Sequence, residues 1–66
     1  MRRDLCAAEI LGIIRALWAR VPVPVEVATV AARLGASTHS VGQRMARLAR
    51  AGVLVRCGRL YREVTP

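Results

Sequence analysis

The chain has 66 residues, 55% of them apolar, with no Phe and a single Trp and Tyr. So short a chain supports one domain whose core must be assembled from Ala, Val, Leu and Ile, and its stability is expected to be marginal. Eleven arginines against four acids give a formal net charge of +7; no apolar run approaches the roughly 20 residues that span a bilayer, and two cysteines with one histidine are too few for a structural metal.

In chain order, the first apolar stretch runs from Leu5 to Val21 and falls on one side of a helix, in an arc of about 160° that includes Ile10, Leu11, Ile13, Ile14, Leu17 and Trp18. Glu9, Gly12, Arg15 and Arg20 lie opposite. Asp4 is placed to cap this helix, residues 5–21. The Val-Pro-Val-Pro stretch from Val21 to Pro24 ends it, because each proline drives its predecessor to an extended conformation. Val23 and Val25 then permit a short stub at a sheet edge but no central strand. A second helix, residues 27–34, gathers Val27, Val30, Ala31 and Leu34 on one face. Gly35 supplies its left-handed C-terminal position, and Glu26 precedes it where a smaller residue would cap better.

Ser37 is placed to cap a third helix, residues 38–51, which Gly52 ends. Val41, Met45, Leu48 and Ala49 make its inward stripe; Ser40, Gln43, Arg44 and Arg47 face outward, with His39 and Arg50 at the margins. Gly42 costs a helix about 1 kcal/mol relative to Ala, a cost that suggests close approach of another backbone. Beyond Gly52 the period becomes two. Val53 and Val55 share a face before Cys57-Gly58, and Leu60, Tyr61 and Val64 are interleaved with Arg59, Arg62 and Glu63, the pattern of a β-hairpin over residues 53–64. The expected fold is thus mainly α with a small β-hairpin, one domain over residues 1–66.

The location of the charge is more telling than its size. Arg2, Arg3, Arg15 and Arg20 are offset by Asp4, Glu9, Glu26 and Glu63, so the surplus is carried by the seven arginines from Arg33 to Arg62. A one-sided cationic field attracts polyanions, of which nucleic acid is the commonest for a soluble domain; an anionic membrane surface is the competing partner.

The segment from Pro24 to Val64 resembles the winged helix-turn-helix domains of prokaryotic and phage transcription regulators. The residues that carry the resemblance are Val27-Ala28-Thr29-Val30-Ala31-Ala32-Arg33-Leu34-Gly35-Ala36-Ser37, then Val41, Arg47-Leu48 and Ala51-Gly52-Val53-Leu54. It implies three helices plus a wing, with residues 38–51 as a recognition helix in the major groove and residues 53–64 touching backbone or minor groove. Arg44 and Arg47 then suit guanine, Gln43 suits adenine, and Thr38 and Ser40 suit phosphate. His39, Arg50, Arg56 and Arg59 complete the expected contact set, the last two flanking Gly58 at the wing tip.

No catalytic constellation is expected: Ser37 and Ser40 have no partner histidine and acid, and nothing orients His39. No metal or cofactor is expected, and Cys6 and Cys57 are read as reduced thiols. The width of the first-helix stripe implies that part of it joins a second copy, with Leu11, Ile14 and Trp18 as the dimer contact. The expected function is that of a small sequence-specific double-stranded DNA-binding regulator, cytoplasmic and nucleoid-associated, with no room for an effector pocket. The alternatives are a winged-helix module that binds an acidic protein, and an accessory factor of phage excision or recombination.

Overall fold

A computed structural model describes residues 6–64. Helix α1 spans Ala7–Arg20, strand β1 Val25–Glu26, α2 Val27–Leu34, α3 Thr38–Arg50, β2 Leu54–Cys57 and β3 Leu60–Glu63. The strands form one antiparallel sheet in the order β1-β3-β2. The valine-proline stub therefore takes the edge, where the missing proline amide hydrogens do no harm.

Helix ends follow local chemistry. α1 begins after Cys6, whose side chain makes no capping hydrogen bond; the expected cap Asp4 and the expected start at Leu5 lie outside the described residues. At the other end Val21 is extended, φ −141° and ψ 109°, so the helix closes one residue earlier than expected, as the clash with Pro22 requires. α2 and α3 both end on a glycine with positive φ, 65° at Gly35 and 82° at Gly52. Around Gly35, the amides of Gly35 and Ala36 donate to the carbonyls of Ala32 and Ala31; around Gly52, those of Gly52 and Val53 donate to Ala49 and Leu48. These are paired Schellman closures, which satisfy the last carbonyls and turn the chain sharply. α3 accordingly stops at Arg50, with Ala51 still in right-handed conformation.

The core lies where the three helices meet the inner face of the sheet. Ile10 and Ile14 of α1, Val30, Ala31 and Leu34 of α2, and Val41 and Met45 of α3 are buried together with Val25, Leu54 and Tyr61. One expectation changes here. Ile14 is 1% exposed and belongs to the chain's own core, which removes it from the expected dimer contact. In the hairpin, Leu54 points inward, at 2% exposure, and Val53 and Val55 are half-buried. Side chains alternate along a strand; Leu54, Arg56, Tyr61 and Glu63 therefore share the helix-facing side, while Val55, Cys57, Leu60 and Arg62 form the half-buried outer side.

One ion pair ties α1 to the sheet. Arg15 Nε lies 2.9 Å from both carboxylate oxygens of Glu63, and its Nη2 lies 2.6 Å from Oε2. The residues are 48 positions apart, so the fork pins the last strand against the first helix. Both cysteines are free thiols, Cys6 exposed and Cys57 half-buried. Among the described residues, no helix is long and apolar enough to cross a membrane, and no group of three His, Cys, Asp or Glu residues could hold a metal.

Candidate nucleic-acid interface

α3 is built as a two-faced rod. Its inner stripe, Val41 and Met45, is fully buried, with Leu48 and Ala49 packed partly on the core. At 100° per residue, Gln43 and Arg47 project from the opposite side, flanked by Ser40 and Arg50. All four are exposed. Arg44 is half-buried and sits on the flank. Thr38 and His39 are exposed as well, Thr38 because it opens the helix rather than because it faces outward. α3 contains no acid.

The amino end of α3 is held open. Ser37 Oγ accepts from the Ser40 amide at 3.1 Å and donates to Ser40 Oγ at 2.9 Å. This arrangement fixes the Ser40 hydroxyl while its own proton remains free for an outside acceptor. The amides of Thr38 and His39 have no intrahelical acceptor, and the helix dipole adds partial positive charge at the same point. An anion is favoured there.

The hairpin supplies a second group of cations. Gly58 has φ 67° and Arg59 has negative φ, the pattern of a type II′ two-residue turn with glycine first. Arg56 Nε donates to the Gly58 carbonyl at 2.9 Å, so this arginine braces the turn from which Arg59 projects. Because Arg56 lies on the helix-facing side of β2, it overhangs the end of α3. With Arg50, Ala46, Ala49 and Tyr61 it lines a cleft of about 290 Å³ between helix and hairpin.

Five of the seven surplus arginines thus sit on α3 and at the turn end of the hairpin: Arg44, Arg47, Arg50, Arg56 and Arg59. The remaining two do not. Arg62 is half-buried and donates through Nη1 to the carbonyl of Glu63 at 3.3 Å. Arg33 projects from the outer side of α2 into a separate groove with Arg20. The cleft shared by Arg50 and Arg56 escaped the sequence reading, since it depends on which face of β2 meets α3. The alternation of side chains across the hairpin is the signal that could have found it.

Compared with family models, curated proteins and solved structures, the chain matches none.

Of the expected dimer contact, Leu11 is half-buried against the core and Ile14 is inside it. Trp18 is half-buried beside a small cavity of about 110 Å³ that it shares with Ile14, Arg15, Ala19 and Glu63.

Proposed function

We propose that this chain is a winged helix-turn-helix domain and that it binds double-stranded DNA sequence-specifically, as a small transcriptional regulator. The observation that carries the reading is the outer face of α3. Ser40, Gln43, Arg47 and Arg50 are exposed on a helix whose other side is locked into the core, with no acid among them.

A helix of 13 residues is about 20 Å long and fits a major groove about 12 Å wide. In that pose Arg47 and Arg44 offer forked donors to guanine N7 and O6, and Gln43 offers a donor and an acceptor to adenine. Thr38, His39 and Ser40 at the helix start meet a phosphate, where the free amides and the dipole reinforce one another. Arg56 and Arg59 of the hairpin, acting as the wing, meet the backbone or the adjacent minor groove. Such contacts divide into those that read base edges and those that set register.

The test is selection of bound fragments from random duplex DNA. A defined motif that the purified protein binds far more tightly than bulk duplex supports the reading, and absence of enrichment refutes it. A homodimer through α1, its contact centred on Trp18, is the companion proposal; two copies would read half-sites one helical turn apart. Sedimentation of the wild type and of Trp18→Ala tests it: a dimer that dissociates in the variant supports the contact, and a monomer in both proteins removes it.

A further inference from the structure

A groove of about 520 Å³ opens where the end of α1, the segment leading into β1 and the outer side of α2 meet. Leu17, Val21, Val23 and Leu60 give it apolar lining, and Arg20 and Arg33 bring two cations against the single acid Glu26. No residue of α3 takes part. Val21 and Val23 are 58% and 52% exposed, two of the three large hydrophobics that stand in solvent among the described residues.

We propose that this groove docks an acidic, amphipathic helical segment of a partner protein, apolar side chains on Val21, Val23 and Leu60 and carboxylates on Arg20 and Arg33. Helix-in-groove recognition asks for an apolar strip with matching charge beside it, which is what these residues present. Charge complementarity argues against the other occupants. A second copy of this chain brings a net charge of +7 and only four acids, of which Glu63 is already bound to Arg15. A phosphate backbone offers nothing to the two exposed valines. Addition of a partner strand is also disfavoured: β1 has two residues, and Pro22 and Pro24 before it lack amide hydrogens. A helix, which satisfies its own backbone, needs none of those donors.

The groove is independent of the DNA-binding reading, and its test is separable. Wild-type protein is used to select from a library of random peptides about four helical turns long. Enriched sequences should carry Asp or Glu beside apolar residues at helical spacing. Val21→Ser/Val23→Ser and Arg20→Glu/Arg33→Glu should each weaken a selected peptide by about tenfold or more, while Arg44→Ala/Arg47→Ala leaves it unchanged. All four groove positions are exposed, and thermal unfolding confirms that the variants fold; the single change Arg33→Glu serves if a double variant does not. No enrichment, enriched peptides without acids, binding that survives the groove variants, or binding lost in the α3 variant overturns the proposal. Duplex titrated into the same samples reads DNA binding separately, so either result stands when the other fails.

Discussion

Replacing Arg59 and Arg47 separately tests whether the hairpin and α3 divide the labour of DNA binding. The five guanidinium groups on α3 and at the turn end of the hairpin, if each reaches the duplex, predict a slope of log affinity against log salt of about −4.5, or about 500-fold weaker binding between 50 and 200 mM salt. Arg59→Ala should bring the slope to about −3.6 on every duplex alike, because a backbone contact carries no sequence information. Arg59 is the better probe than Arg56, whose Nε also holds the Gly58 carbonyl and with it the turn. Arg47→Ala should cost about 1 to 3 kcal/mol on the preferred duplex, far less on a random one, and relax the preference at one base pair. Fluorescence-anisotropy titrations of both duplexes at several salt concentrations measure all of these. Equal losses on both duplexes for both variants, or a wild-type slope shallower than about −2, would refute the division.

Three other predictions concern the scaffold. Ser37→Ala removes the acceptor of the Ser40 amide and should destabilise the domain by about 1 kcal/mol in urea unfolding, with weaker DNA binding because the helix start is no longer fixed. Gly42→Ala should stabilise it by up to about 1 kcal/mol, since a Cβ there meets only Val27 Cγ1 at 3.5 Å, an ordinary contact. The Arg15 fork, chiefly through its hydrogen bonds and least through its charge, holds the Glu63 carboxyl below its ordinary range, with desolvation opposing it between the two in size. The pair's stabilisation is therefore fully present above the pKa of an unfolded glutamate and is lost as pH falls through the lower folded value. Melting temperatures of wild type and Glu63→Gln should differ at neutral pH and converge in acid; a gap that persists at low pH would contradict the assignment.

Local chemistry made most of the framework legible. The prolines after Val21, the glycines at 35 and 52 and the serine at 37 act through φ restriction and capping, which depend on near neighbours in the chain. Burial that depends on distant partners was harder to read. Val53 and Val55 have the right period for an inward face, but the Schellman closure at Gly52 sets the phase so that Leu54 turns in. Ile14 lies within the broad α1 stripe, and only packing against the other elements assigns it to the core. Gly42 faces a side chain of α2 rather than a backbone, so the expected close approach is absent. The groove beneath Val21 and Val23 is contributed by the end of α1, the segment into β1, α2 and β3 together, and no periodicity in any one of them announces it.

The placement of the acids matters to the proposed function as much as that of the arginines. A carboxylate among the α3 cations would pair with them and repel phosphate, whereas here α3 and the hairpin turn carry none. Glu63 is the acid nearest in sequence, and the fork from Arg15 neutralises it on the α1 side of the sheet. Glu26 faces the α1–β1–α2 groove instead. The ion pair thus joins two elements while removing the one negative charge that β3 would otherwise bring beside Arg62 and the hairpin. Interactions between exposed charges fall off over about 8 Å at physiological salt, so a carboxylate held against its own counter-ion adds little to the field outside the pair, where one without a nearby counter-ion would weaken it. If the proposed function holds, Arg15 would favour DNA binding without touching DNA, by pairing with Glu63 on the α1 side of the sheet.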